Sequence, residues 1–404
     1  CIRDSFREAE GIYQSILKEH PQHPDALHLM GVLALQAGRA EVGVDFFERA
    51  VKAKPGEPEF LNMCGEAYRM LKNFDVAIDR YRQALAIRPE FAGAHNNLGN
   101  TFMELRRFDD AVACYQKAIA IDPGFPMSHN NLGIALKELG RPQEAIAHHK
   151  QAIVIMPAYA EAHSSLGNAL QAMGRAEEAI AHHEQALAVR PDYAEAHSNL
   201  GNALRDLGRV DEAIARYQKA IAIQPQFVMA HYNLGIALDE LSRPEEAVSH
   251  YEQALAIHPN YAEAHHNLAN ALDKLGRRQD AVDHYEKALA IKPEYAEAHR
   301  NLARINPDQK QLTAMKELLA DPSVSETDAT HCHFGLGSIY RGLGNYEKAF
   351  DHYDRGNRLK RKTISYDSRS FTAYVDRLIA AYSRAYFEKA QASGSESKLP
   401  VFVL

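Results

Sequence analysis

The sequence predicts an all-α fold, a right-handed solenoid of stacked helix pairs, and three observations carry that prediction. A glycine returns every 34 residues, at Gly31, Gly65, Gly99, Gly133, Gly167, Gly201 and Gly235, and alanine takes its place at Ala269 and Ala303. Twelve residues after each of the first eight lies a small residue, from Gly43 and Ala77 through Ala213 to Ala281. Twelve further on comes a proline, from Pro55 and Pro89 through Pro225 to Pro293. One helix pair cannot bury its apolar face alone, so such units stack.

The elements follow in order. Residues 1–23 read as the second helix of a half repeat, with Ala9, Tyr13 and Pro21 in second-helix positions. Residues 24–295 hold eight full units. Each has two amphipathic helices of about 13–15 residues, a turn such as "LGRVD", and a closing proline that cannot continue a helix. Gly and Ala at the fixed positions let the two backbones approach, and Tyr217, Tyr251 and Tyr285, or His149 and His183, fill the seam between helices. The period then breaks. Over 296–329 a degenerate repeat gives way to a connecting helix, with Asn306 as its expected N-cap, Pro307 in its first turn and an end near Asp321. "SVSET" reads as loop. A further repeat spans 330–365, another helix 366–392, and 393–404 a linker and an apolar, strand-like "KLPVFVL".

The run His197-x2-Leu200-Gly201-x2-Leu204…Ala213…Tyr217…Ala220…Pro225 resembles the tetratricopeptide repeat, a 34-residue helix-turn-helix with small residues at its eighth and twentieth places. The usual aromatic at place four is His or Leu here, which touches packing rather than fold. The resemblance implies a superhelix that binds protein or an extended peptide. The broken repeat, "YEKAFDHYDRGNRLKR", "SYDSRSFTAYVDRLIAAYSRAYF" and "PVFVL" together resemble bacterial proteins in which such an array precedes a sulfotransferase domain. That resemblance implies that the apolar strand opens an α/β domain. Its cofactor, 3′-phosphoadenosine-5′-phosphosulfate (PAPS), would belong to that missing domain; none is expected in this chain. Two alternatives stand beside it: a glycosyltransferase of the O-linked N-acetylglucosamine type, whose repeats also read like "AEAHSNLGNAL", and a free-standing adaptor.

Composition narrows the partners. Lys and Arg number 46 against 53 Asp and Glu, a net charge of −7, so the basic footprint of a nucleic-acid binder is missing. Arg358, Lys360, Arg361 and Lys362 read as a solvated helix end. No run approaches the ~18 apolar residues of a membrane helix. Cys1, Cys64, Cys114 and Cys332 form no CxxC pair, which suggests buried thiols and a cytoplasmic setting. The chain opens on Cys1 in mid-helix, so upstream sequence is expected to be absent.

No catalytic constellation is expected. His95, His129, His163, His197, His231, His265 and His299 hold place four of successive units. Rungs about 9–10 Å apart cannot share an ion through ~2 Å bonds, so these histidines read as packing and no metal is expected. Places two, six, nine and thirteen of the first helix lie on one face. Place six carries Asn97, Asn131, Asn199, Asn233, Asn267 and Asn301, with Ser165 between; place nine adds Asn100, Asn168, Asn202 and Asn270. Asparagine is a mediocre helix former, so a ladder of amides for the backbone of an extended peptide is the expected function. The resemblance to the glycosyltransferase repeats implies the same. Asn–Asn bonds between repeats are the alternative. Glutamates at place two (Glu161, Glu195, Glu263, Glu297) exclude a cationic clamp for acidic tails.

Overall fold

The computed structural model describes residues 2–363, together with 372 and 377. The expected helix over 366–392 and the strand at 400–404 lie outside the described residues. All 21 helices described are α, and the fold is an all-α solenoid. The chain forms two compact units, 1–259 and 260–404.

In the first unit α1 (Ile2–Glu19) precedes seven helix pairs. These are α2 (Pro24–Gln36) with α3 (Ala40–Ala53), α4 (Pro58–Met70) with α5 (Phe74–Ile87), and α6 (Ala92–Glu104) with α7 (Phe108–Ile121). Then come α8 (Pro126–Glu138) with α9 (Pro142–Ile155), and α10 (Ala160–Ala172) with α11 (Ala176–Val189). The last are α12 (Ala194–Asp206) with α13 (Val210–Ile223), and α14 (Val228–Glu240) with α15 (Pro244–Ile257). Every full pair is a 13-residue helix followed by one of 14. The turn between them is a Schellman closure: the Gly208 N–H donates to the Arg205 carbonyl (2.8 Å) and the Arg209 N–H to that of Leu204 (3.0 Å). It needs a left-handed residue, and Gly208 supplies it at φ 74°. Lys72, Arg106 and Ser242 hold the equivalent turn position at φ 56–59°.

The core repeats with the sequence. Leu200, Ala213, Tyr217 and Ala220 are completely buried. A Cβ on Gly201 would lie 2.6 Å from the Tyr217 ring, so the glycine is what lets that ring fit. Three cysteines, Cys64, Cys114 and Cys332, are buried free thiols; burial pushes them up to about 12, 11 and 12.

The second unit continues with α16 (Ala262–Lys274) and α17 (Arg278–Ile291), then α18 (Ala296–Ile305), α19 (Gln309–Ala320), α20 (Glu326–Gly342) and α21 (Tyr346–Thr363). Here α20 pairs with α21 and also packs on α18, and α19 supplies Leu312 and Met315 to a core shared with Ala296, Ala303, Cys332 and Leu336. Two boundaries correct the sequence expectation. The N-cap of α19 is Asp308, whose carboxylate accepts from the Gln311 N–H (2.9 Å), not Asn306. Asn306 closes α18 instead, its N–H bonded to the Leu302 carbonyl (2.8 Å), and the following proline keeps it out of the helical region. The "SVSET" loop is also shorter than expected. Ser325 caps Asp328 N–H (3.0 Å), so Glu326 and Thr327 are already helical.

Candidate peptide-binding face

Places are counted from the first residue of each unit: 24, 58, 92 and so on by 34. In the first structural unit the place-six amides reach back to the preceding rung. Asn97 Nδ2 donates to Asn62 Oδ1 (3.2 Å), and Asn131 Nδ2 to Asn96 Oδ1 (3.2 Å) and Asn100 Oδ1 (3.0 Å). Asn199 Nδ2 donates to the Ser164 hydroxyl at 3.4 Å. In the second unit Asn301 Nδ2 donates to Asn270 Oδ1 (2.9 Å). Asn97, Asn131, Asn199, Asn267 and Asn301 are half-buried, whereas Asn233 is 7% exposed and presents little to solvent. Bonds between rungs, the alternative reading of the ladder, are therefore present in the structure.

Place nine is held from below. Tyr115, Tyr217 and Tyr285 hydroxyls donate to Asn100 (2.8 Å), Asn202 (2.8 Å) and Asn270 (2.5 Å) respectively. Sequence reasoning treated those tyrosines as seam filler; the signal it missed is a constant separation of 15 residues. In the repeat starting at 160 the seam residue is His183, and Asn168 is half-buried with no tyrosine beneath it.

A carboxamide oxygen accepts two hydrogen bonds and its nitrogen donates two. Bonds to the rung behind orient Asn97, Asn131 and Asn199 and leave acceptor capacity on their Oδ1 atoms, whereas Asn301 Oδ1 already accepts from Arg300. Around this row the acids are partly neutralised: Arg190 pairs with Glu161 (2.9 Å), Lys292 with Glu263 (3.3 Å), and Arg300 with Glu297 (3.5 Å). At the far end of the first helices, Arg69 with Glu104, Gln171 with Asp206 (2.6 Å) and Arg205 with Glu240 (3.8 Å) tie successive rungs together. The face offers amides and carboxylates, and its one cation in the clamp positions, Arg300, is already engaged by Glu297 and Asn301.

The place-four histidines do pack, and they also satisfy the end of the preceding repeat. Nε2 of His95, His129, His163, His197, His231 and His299 lies 2.9–3.2 Å from the carbonyl of the closing proline. The carbonyl can only accept, so Nε2 carries the proton. The comparison of neighbouring rungs overlooked a second imidazole in the same repeat, 19 residues on, as in His129 and His148. Among the described residues no three His, Cys, Asp or Glu side chains are grouped as a metal site would require, and no helix is long and apolar enough to cross a membrane.

Tetratricopeptide-repeat family models match residues 3–58, 65–106, 92–125, 114–147, 135–174, 171–205, 201–242, 238–305 and 330–363. Among solved structures, a human IFIT1 dimer with PPP-AAAA superposes at TM-score 0.55 and 16% identity, covering 88% of this chain and 86% of that one. A human IFIT1 dimer with m7Gppp-AAAA gives 0.54 and 17%, covering 87% and 95%. These likenesses concern the fold. The crystal structure of MamA is 30% identical over 41% of this chain and 97% of its own, at TM-score 0.36. An uncharacterised protein of Aquifex aeolicus (strain VF5) is 28% identical over 95 residues, 24% of this chain; the match spans 12% of that relative's length.

Proposed function

The chain belongs to the tetratricopeptide repeat family, and from that premise we propose that its first-helix face binds an extended peptide segment of a partner protein. The observation that carries this reading is the set of place-six amides Asn97, Asn131 and Asn199, oriented by bonds to the rung behind and left with acceptor oxygens. An extended peptide advances ~3.3 Å per residue, so rungs about 9–10 Å apart meet it at every third residue. Oxygens at that spacing take peptide N–H groups without reading side chains. The net charge of −7 and the place-two glutamates disfavour an oligonucleotide of the kind named with the human IFIT1 structures.

The test uses peptides selected by panning an unstructured library on the full chain. Asn131→Ala with Asn199→Ala is expected to weaken many of them alike, by about tenfold for one charge-free hydrogen bond lost per rung. Asn199→Asp, which keeps an acceptor and whose neighbour Ser164 can donate in turn, is expected to retain most of the affinity that Asn199→Ala loses. Unchanged binding in a folded Ala variant sinks the proposal and leaves the asparagines to packing.

A second reading extends the first: the face recruits an acceptor for a sulfotransferase domain. It is supported by "YEKAFDHYDRGNRLKR" in α21 and by the apolar "KLPVFVL". Absence of adenosine 3′,5′-bisphosphate binding by the natural full-length protein would end it. The glycosyltransferase and adaptor readings would then remain.

A further inference from the structure

The place-four imidazoles turn Nδ1 toward place 23 in the second helix of their own repeat, and His129, His163 and His231 do so with Nε2–H on a carbonyl. Where that place is histidine, two Nδ1 atoms face each other. The separations are 3.4 Å for His129 and His148, 3.2 Å for His231 and His250, 2.9 Å for His265 and His284, and 3.0 Å for His333 and His352. His163 and His182 are juxtaposed in the same way, ring centroids 5.8 Å apart, and neither Nδ1 has a hydrogen-bond partner among the described residues. We propose that these five imidazole pairs are binding sites for a divalent transition cation of the Ni²⁺, Cu²⁺ or Zn²⁺ class. Each pair supplies two adjacent ligands, and water or an outside group completes the coordination.

The spacing supports this directly. Metal–imidazole bonds of ~2.0–2.1 Å that open by 90° to 110° place the two nitrogens about 2.9–3.4 Å apart. The four measured separations fall in that window. A metal-ligating histidine usually donates its other N–H to a carbonyl, which fixes the tautomer and frees the ligating lone pair. The bonds from His129 to Pro123 (3.2 Å), His163 to Pro157 (3.0 Å) and His231 to Pro225 (3.0 Å) are of that kind. The place-23 imidazoles are half-buried, while Nδ1 of His163 and of His182 is buried, so a cation at that pair must displace packed atoms. Burial lowers His148, His182, His250, His333 and His352 from the usual imidazole value and His284 to about 4, so these rings are neutral near pH 7. In the metal-free pair one Nδ1–H bridges the rings. Binding moves that proton to Nε2 of the place-23 ring, with no net proton released. Imidazole suits this class of cations.

His95, His197 and His299 lack the second imidazole, and the first two, in full repeats, act as internal controls. His197 faces Arg216, whose charge lowers the imidazole further, and its Nδ1 is unpartnered among the described residues. His95 Nδ1 is likewise unpartnered, and Cys114 holds place 23 of its repeat.

The experiment titrates the untagged full chain with NiCl₂ by calorimetry at pH 7.5. Several equivalents are expected, up to five. Each of His148→Phe, His182→Phe, His250→Phe, His284→Phe and His352→Phe should remove one. Arg216→His, a change at a half-buried position, should add one opposite His197. Circular dichroism identifies any variant that has lost its helices, and the gained equivalent does not depend on removing a packed ring. No binding, a stoichiometry unmoved by the Phe variants, or no gain with Arg216→His overturns the proposal. The pairs would then be N–H···N hydrogen bonds only.

Discussion

Repeats 126–159 and 160–193 carry histidine where their neighbours carry a seam tyrosine, and in 160–193 that difference reaches the binding face at Asn168. In the repeat starting at 194 a Cβ on Gly201 would meet the Tyr217 ring at 2.6 Å, and the Tyr217 hydroxyl runs on to Asn202. At Gly167 the ring met at 2.5 Å belongs to His183, and both its nitrogens lack partners among the described residues. His149 fares better, with Nδ1 2.9 Å from Asn130 Oδ1. The space under the glycine is the same in each case. The longer ring crosses it and ties down a place-nine asparagine, while the shorter ring stops inside the core. Whether Asn100, Asn202 or Asn168 is available to a ligand is therefore decided by a residue that never touches the ligand.

The largest expected effect comes from filling the shared space. Gly201→Leu drives a branched side chain into the Tyr217 ring, an overpacking cost of about 1–3 kcal/mol. Stability in repeat arrays is nearest-neighbour, so amide hydrogen exchange should quicken mainly between residues ~160 and ~260. Uniform loosening of the whole array would contradict that, and would mean that the seam is not where the rungs are held.

A smaller effect, of opposite sign, is expected from His183→Tyr. Repeats 160–193 and 194–227 share Asn at place nine and Gly at place eight, so the new hydroxyl should reach Asn168 as Tyr217 reaches Asn202. One buried hydrogen bond gained and two unpartnered nitrogens removed give about 1 kcal/mol. The same change should flatten the acid response. Burial holds His183 at about 4 and His149 at about 3, well below an unfolded imidazole near 6.5. The unfolded chain therefore binds more protons, and stability that is complete above ~6.5 is lost as pH falls below it. Urea midpoints at pH 7.5 and 4.5, in EDTA to keep the imidazole pairs metal-free, measure both effects. Equal slopes for the two proteins would show that His183 does not titrate in the folded state's disfavour.

The period made the fold legible because each helix pair is a local unit whose Gly, Ala and Pro recur at fixed places. Where the period failed, local capping had to decide, and the cap used, Asp308, sits two residues past the Asn306 that the sequence pointed to. Asn306 had the right side chain, but its backbone was already used in closing α18, a tertiary outcome invisible at Asn306-Pro307 alone. The face was legible as a row of asparagines, and Asn–Asn bonds between repeats as one reading of it, yet not which residues pair. Bonds from Asn131 to Asn96 and Asn100 depend on the stagger between rungs, and that from Tyr217 to Asn202 on ring length. The imidazole pairs were missed for a geometric reason. Distance was reckoned between equal places of neighbouring repeats, whereas His129 meets His148 across the two helices of one repeat.

A change in the turn, outside both seam and face, should give the smallest effect and a baseline for the others. Ser242 holds the left-handed turn position at φ 57°, where Gly208 and Gly276 stand at 74° and 76°. A side chain there costs roughly 1–2 kcal/mol, and glycine returns part of that as chain entropy, about 0.5–1 kcal/mol. Ser242→Gly should therefore stabilise by about 0.5 kcal/mol, read as a small rise in urea midpoint. The turn's own bonds, Ser242 N–H to the Asp239 carbonyl (3.1 Å) and Arg243 N–H to that of Leu238 (2.9 Å), are backbone bonds that glycine keeps. No titrating group is altered, so the gain should be the same at pH 7.5 and 4.5, unlike that of His183→Tyr. A gain that varies with pH would mean that the acid response belongs to the array as a whole and not to its histidine seams.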